Sequence, residues 1–318
     1  MNSKVSIMIP CREINGYARE SIEHCLALDY PDFEILVLSD SEPGFDHPHV
    51  KVFPTGIIGP AEKRDLAANH ANGEILAFID DDAYPAVHWL KEAVKHFTND
   101  DVAAVGGPAV TPPSDSLLQK ASGLVYSSFL GSGSLRARYI PGKQSEVDDH
   151  PSCNFVIRKS VFQQVGGFST LFWPGEDTKL CLEVTNELHK KIIYDPKVLV
   201  YHHRRSLFRP HLRQVWSYAV HRGYFAKRFP QTSLKLSYFL PSLLCLGLVF
   251  GTVASFFNSV VELLFLSALG VYLLLALLSS IQSKEIKAIP LVFWGIITTH
   301  LTYGTGFIKG LLTRRLAR

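Results

Sequence analysis

The chain has 318 residues, with 32 Lys and Arg against 29 Asp and Glu, a formal net charge of only +3. That near balance gives a nucleic-acid partner little electrostatic support. The five cysteines (Cys11, Cys25, Cys153, Cys181, Cys245) form no CxxC pair, which argues against a zinc site and suits a reducing compartment.

The opening "MNSKVSIMIPCRE" has too short an apolar run for a signal peptide, so the first domain is expected in the cytoplasm. Short apolar runs then alternate with helical patterns. "KVSIMIP" reads as a strand, and "NGYARESIEHCLAL" as a helix with Ile22, Cys25 and Leu26 at helical spacing. "FEILVLSD" is a second strand. "GPAEKRDLAANHANG" is a helix that Gly73 is expected to stop. "EILAFIDDD" is a third strand, "AVHWLKEAVKHF" a helix and "VAAVGGPAV" a fourth strand. From residue 111 to 150 the pattern blurs: "TPPSDS" and "GSGSLRARYIPGKQ" read as loop, the latter as a candidate mobile flap. "SCNFVIRKSVFQQVGGF" is a strand and a helix. "PGEDTKLCLEVTNELHKKIIYDPKVLVYHHRR" is a helix with an acidic start, then a strand ending in histidines. The order predicts an α/β fold: a mostly parallel sheet with helices on both faces.

In such sheets ligands bind outside the carboxyl ends of the strands. Those ends carry Pro10-Cys11-Arg12-Glu13, Ser39-Asp40-Ser41-Glu42 and Asp80-Asp81-Asp82. A cap or a solvated turn explains one polar strand end. Three at one edge point to a common site. Adjacent carboxylates repel, and a hard cation relieves that repulsion. Mg2+ or Mn2+ suits Asp80 and Asp82, because it fills the rest of its shell with phosphate oxygens and water. The competing reading makes Asp82 the N-cap of the helix that follows. One Asp suffices for a cap, so that reading leaves the others unexplained. No GxxxxGK loop is present and no GxGxxG follows the first strand, which disfavours a dinucleotide fold.

Taken in order, "VSIMIPCRE", "EILVLSDSE", "KRDLAANHANGEILAFIDDDAYP", "NFVIRKSVFQQVGGF" and "GEDTKL" resemble the family 2 glycosyltransferases of GT-A fold, over residues 4 to 228 or so. The resemblance implies a nucleotide-diphosphate sugar donor. It places Pro10, Arg12, Glu13 and Asp40 at the base and ribose, and Lys63 or Arg64 near the base or phosphates. It makes Asp80 and Asp82 the DxD pair, Asp80 toward the ribose and Asp82 toward the metal. Asp81 is grouped with the donor side without an assigned role. Ser39 stands where the family has the first of two acids, leaving Asp40 as the base contact. "GED" matches the family's ED motif, which implies Asp177 as the base that takes the acceptor hydroxyl's proton, with Glu176 as runner-up. Read alone, these acids could equally offset a helix dipole. In "VLVYHHRR" the resemblance puts a histidine at the metal, His202 before His203. A surface His pair is the alternative.

"RPHLRQVWSYAVHRGYFAKRF" mixes Arg209, Arg213, Arg222, Lys227 and Arg228 with Trp216, Tyr218, Tyr224 and Phe225. It has Gln214-Val-Trp216 but not the QxxRW of processive relatives, so nonprocessive transfer is expected. Arg222 is a candidate for stabilising the leaving diphosphate. Alternatively the segment, about 206–230, is an amphipathic helix against anionic headgroups.

From Leu236 to Ile281 the only charged residue is Glu262. Two spans, about Tyr238 to Phe257 and Val260 to Ile281, reach the ~20 residues that a membrane helix needs. A third, about Ala288 to Leu312, carries Thr298, Thr299, His300, Thr302 and Thr305. It could cross, re-enter or lie at the interface. The alternative is a buried helical hairpin of a soluble protein. Lys227, Arg228 and Lys235 place the first domain inside by the positive-inside rule, and Lys284 and Lys287 return to that side. A third full crossing would put Arg314, Arg315 and Arg318 outside, against the rule.

The expected organisation is a cytoplasmic catalytic domain (1–230), a membrane region of two or three helices (236–312) and a basic tail (313–318). The expected function is an inverting, nonprocessive, hexosyltransferase-like enzyme of the cell (inner) membrane. Its acceptor is a hydroxyl, on a lipid-linked or other saccharide of cell-surface glycan or polysaccharide biosynthesis, with membrane lipids as neighbours. The alternatives are a polyprenyl-phosphate glycosyltransferase and a catalytically inactive membrane scaffold.

Overall fold

The computed structural model describes residues 3–42, 45–170, 172, 174–282 and 285–316. Lys284 and Arg318, used in the orientation argument, lie outside these described residues.

The chain opens with β1 (Val5–Pro10), buried throughout, and α1 (Gly16–Leu26). Asn15 caps α1 by accepting from Ala18 N at 3.1 Å. β2 (Phe33–Ser39), β3 (Val50–Pro54), α2 (Pro60–His70) and β4 (Ile75–Ile79) follow. α2 starts with proline in its first turn and ends at Ala71, two residues before Gly73. Next comes β5 (Ala83–Pro85), and α3 (Trp89–Val94) starts only after it, with His88 as N-cap. Strand pairing claims the residues after Asp82, so Asp82 does not cap a helix. β6 (Val102–Gly106) and β7 (Ala109–Val110) divide what reads as one strand. Gly107 lies between them, where a Cβ would sit 1.9 Å from the Val198 carbonyl oxygen, so a side chain does not fit there.

α4 (Leu117–Ser127) and α5 (Phe129–Ser132) occupy a stretch whose sequence pattern is blurred. Ser116 and Gln119 form a capping box at the start of α4. Then come β8 (Ser145–Val147), β9 (Asn154–Arg158), α6 (Lys159–Gln164), α7 (Glu176–Leu182), β10 (Lys191–Tyr194) and β11 (Val200–His202). The chain continues through α8 (Arg209–Arg228), α9 (Pro230–Ser233), α10 (Leu236–Ser255), α11 (Ser259–Ile281) and α12 (Ile289–Leu312).

These elements form two compact units. One holds the chain up to Val110 together with Ala137–His203; the other holds Thr111–Arg136 and the helices from Arg204 onward. The first unit has an eight-stranded sheet in the order β3-β2-β1-β4-β9-β6-β10-β8 and a small sheet β5-β11-β7. β3, β2, β1 and β4 are mutually parallel, whereas β9 runs antiparallel to β4 and β6. Side chains alternate along each strand. Val5, Ile7 and Ile9 join one core with α1 and α3, while Met8, Leu36 and Phe78 join another with α2, α6 and α7. Helices thus cover both faces, as the nearly unbroken apolar strands require.

In the second unit α8 packs closely on α12. A Cβ on Gly223 would lie 2.2 Å from Phe307 O, and one on Gly310 would lie 2.1 Å from Val220 O. Buried His211 joins Ser122 Oγ (2.8 Å) to Thr299 Oγ1 (2.9 Å). α10 and α11 have 20 and 23 residues, long and apolar enough to cross a membrane, and stay exposed along most of their length.

Candidate active site

β2, β1 and β4 lie side by side and parallel. Their ends deliver Arg12 and Glu13, Asp40, and Asp80–Asp82 to one edge of the sheet. Pro10 is buried within β1, while Arg12 and Glu13 are exposed beyond it. Asp40 N donates to Arg12 O at 3.0 Å, which joins the first two strand ends. Lys63, buried on α2, donates to Cys11 O and to Asp40 Oδ1. Its ammonium therefore braces the two strand ends.

The small sheet assembles the next group. β11 pairs antiparallel with β5, His202 opposite Ala83. That register brings His202 Nε2 to 3.0 Å from Asp82 Oδ1. His203 points to the other face, with Nε2 2.9 Å from Glu20 Oε2. The donor atoms of Asp80, Asp82 and His202 all lie within 4.8 Å of one another. Two carboxylates and one imidazole fit Mn2+ or Mg2+ and leave coordination positions for phosphate oxygens. Burial opposes a charged His202, yet Asp82 holds its proton on, up to about 10. Burial, then Asp82 and Asp80, push Asp81 up to about 7. A cation among these acids would reverse that upward pressure.

Arg64 ties this group to the second acidic centre. It is buried on α2, and its two terminal nitrogens reach Asp80 Oδ1 at 2.5 Å and Glu176 Oε1 at 3.2 Å. Its Nε has no hydrogen-bond partner among the described residues. Gly175 begins α7 at φ +115°, which favours glycine, and sets Glu176 and Asp177 in the first turn. Glu176 is buried against Arg64. Burial pushes its carboxyl upward, Asp177 adds to this, and Arg64 opposes it. Asp177 is only partly buried, and its Oδ2 accepts from Ser152 N at 3.4 Å. Of the pair, Asp177 is thus the more accessible carboxylate. Arg222 belongs to the second unit, where it donates to Ser233 Oγ at 3.1 Å and lies over the Tyr238 ring at 4.9 Å.

The supporting residues were not singled out in the sequence. Asp65 accepts from Phe168 N (2.8 Å) and Ser169 N (3.2 Å), fixing the "GGF" turn. The Phe168 ring then lies 5.6 Å from the Arg64 guanidinium. The paired glycines were the available signal for that turn. Arg138 donates to Asp149 O at 2.6 Å, and Thr178 Oγ1 donates to Asp149 Oδ1 at 3.3 Å, bracing the residue after Asp177. Arg138 lies in the stretch read as a flap, and nothing local announces its partner.

His150 follows Asp149 and is buried, with Nε2 3.1 Å from Gly107 O. Burial, followed by Arg138, pushes it down to about 3 from an ordinary 6.5. The unfolded chain therefore binds the proton first. Stability from His150 is fully present above pH 6.5 and is lost as pH falls toward 3. Between pH 7 and pH 5 the wild type is expected to lose about 2 kcal/mol relative to His150→Asn. Denaturant unfolding of both proteins in detergent at the two pH values checks this; parallel pH dependence would refute it.

A family profile described as Glycosyl transferase family 2 matches residues 6–166. A pre-mycofactocin glycosyltransferase of Mycobacterium tuberculosis is 30% identical over 190 residues, 60% of this chain and 38% of that protein. The match thus spans well under half the length of that relative. A glucosyl-dolichyl phosphate glucuronosyltransferase of Haloferax volcanii is 23% identical over 219 residues, 63% of this chain and 69% of that protein. A solved mannosyltransferase of Pyrobaculum calidifontis, in complex with GDP-Man and Mn2+, shares the fold with a TM-score of 0.64. It is 19% identical, and the superposition covers 95% of this chain and 87% of that one.

Proposed function

The chain belongs to glycosyl transferase family 2, and we propose that it is an inverting, nonprocessive, membrane-anchored enzyme. It moves a sugar from a nucleotide-diphosphate donor to a hydroxyl of a lipid-linked saccharide. One observation carries the mechanism: Arg64 joins Asp80, in the cluster with Asp82 and His202, to Glu176, the neighbour of Asp177.

Arg12, Glu13 and Asp40 receive the base and ribose at the strand ends. Asp80, Asp82 and His202 would hold Mg2+ or Mn2+, which supplies Lewis-acid neutralisation of the diphosphate when bound. Asp177 accepts the proton of the acceptor hydroxyl as its oxygen attacks the anomeric carbon. The new C–O bond forms as the bond to the diphosphate breaks, and the nucleoside diphosphate leaves from the opposite face. Glu176, held by Arg64, is less free to take that proton. The exposed apolar helices α10 and α11 support a membrane anchor, and Lys227, Arg228 and Lys235 before α10 support a cytoplasmic side for the catalytic unit at the cell (inner) membrane. That anchor, and the name of the Haloferax relative, support a lipid-linked acceptor.

The test is a donor screen for nucleoside diphosphate release with Mn2+ or Mg2+, comparing wild type and Asp82→Asn. Loss of metal-assisted charge stabilisation, worth several kcal/mol, is expected to slow the variant by about 100-fold or more. Full activity of the variant, or of wild type in chelator, would remove the metal role. No release with any donor would favour an inactive scaffold. Transfer to a water-soluble acceptor in preference to a lipid-linked one would remove the lipid assignment.

A further inference from the structure

The partners of α12 define its direction against the α10–α11 hairpin. Phe307 packs on Phe239 with ring centroids 4.8 Å apart. Gly304 O accepts from Ser242 Oγ at 2.9 Å, and Leu301 O lies 3.7 Å from Cys245 Sγ. His300 Nδ1 lies 2.9 Å from Tyr272 OH. Val292 and Ile296 share a buried cluster with Ala276. The hairpin's own register follows from Gly251, where a Cβ would fall 2.4 Å from the Phe265 ring. In that antiparallel register Tyr272 is level with Leu244, and Ala276 with Leu240.

From Val292 to Phe307 is about 22 Å of helix. A helix running alongside the hairpin would meet partners spread over that length. The partners of α12 instead fall level with residues 239–245 of α10, about 9 Å of depth. Their order also reverses. Ile296 shares its cluster with Ala276, which is level with Leu240, whereas Leu301 meets Cys245 and Phe307 returns to Phe239. α12 therefore lies across the hairpin, close to where α10 begins and α11 ends. Beyond it the hairpin continues exposed, through Val249, Phe250 and Leu263.

The free face of α12 carries Trp294, Leu301, Thr305 and Leu312. Thr298 and Thr305 donate to the carbonyls of Trp294 and Leu301, at 2.8 and 2.7 Å, so neither hydroxyl needs water. Cations gather at the same end of the hairpin. Lys227 donates to Thr313 O at 2.8 Å, Lys309 lies 5.3 Å from the centre of the Trp216 ring, Lys235 caps α10, and Arg314 and Arg315 are exposed. Glu285 and Lys287 belong to the turn before α12. The far tip has Glu262 and, from Leu236 to Ile281, no Lys or Arg.

We propose that α12 is not a third crossing but lies in the near leaflet of an anionic bilayer. Its free face meets the boundary between headgroups and acyl chains, and α8 packs along it. Only α10 and α11 enter to depth, and the cations beside them meet anionic headgroups. This inference rests on the membrane anchor proposed above.

The test uses the full chain in phosphatidylglycerol-containing liposomes, carrying one of Asp100→Cys, Asn258→Cys, Lys287→Cys or Arg314→Cys. Asp100 is a fully exposed reporter of the first unit. The native cysteines are buried, and the wild type gives the background. An impermeant maleimide is expected to label Lys287→Cys and Arg314→Cys to the same fraction as Asp100→Cys, and Asn258→Cys to the complementary fraction. Spin labels at Trp294→Cys, Leu301→Cys and Leu312→Cys are expected at a common shallow depth. Arg314→Cys labelling with Asn258→Cys, or a depth gradient of about 1.5 Å per residue, would overturn the proposal. Release of the chain by alkaline carbonate would overturn the membrane anchor itself, and this inference with it.

Discussion

Asparagine in place of Asp177 is expected to lower sugar transfer by about 10²- to 10⁴-fold with little change in donor KM. The substitution keeps shape and can keep the contact from Ser152 N. It removes the capacity to take a proton and leaves one oxygen where two accept, from Ser152 N and Thr178 N, so most of the loss should fall on kcat. Glu176→Gln should behave differently, because Glu176 is buried against Arg64. Its cost should appear as lost stability as well as lost rate. Single-turnover release of nucleoside diphosphate, with acceptor present, measures both variants. A lipid phosphate acceptor would carry its own nucleophilic charge and need little base catalysis. Near wild-type turnover of Asp177→Asn would therefore replace the hydroxyl acceptor with a phosphate.

The second large effect is expected at Arg64. Arg64→Met leaves Asp80 and Glu176 facing each other without the cation between them. Removing one partner of a buried ion pair costs about 3–5 kcal/mol, because the stranded charge remains. The double variant Arg64→Met/Glu176→Gln strands one charge fewer, so it should recover a substantial part of that loss. Arg64→Lys should fall between, since a single ammonium cannot fork to two carboxylates. Denaturant unfolding of the four proteins reads the stabilities. Metal titration of the survivors should show weaker binding in Arg64→Met, because Asp80 loses its anchor. Equal stability of the single and double variants would mean that Arg64 does not balance these charges.

Much of the fold was legible in local sequence. Apolar runs mark β1, β2 and β4, and their polar ends single out Asp40 and Asp80–Asp82. Other features were obscured by pairing at a distance. Ala83–Pro85 is a strand because β11 lies beside it, so the helix starts late and Asp82 is released from capping. The stretch 111–136 shows no clear pattern although Ser116 and Gln119 form a capping box, because the apolar face of α4 packs on helices far along the chain.

The sequence by itself determined the strands β1, β2 and β4, the acids at their ends, the GED turn and the two long apolar helices. Each depends on composition or spacing within a few residues. Only the tertiary structure decided which groups meet. Strand register chose His202 over His203 for Asp82. Burial of α2 brought Arg64 to carboxylates 16 and 112 residues away, and kept Lys63 on Asp40. The direction of α12 likewise came from its partners, because an apolar run of that length suits a crossing or a leaflet helix equally. Spacing along a chain reports which face a residue takes, whereas a long-range pair depends on the register of elements it does not belong to.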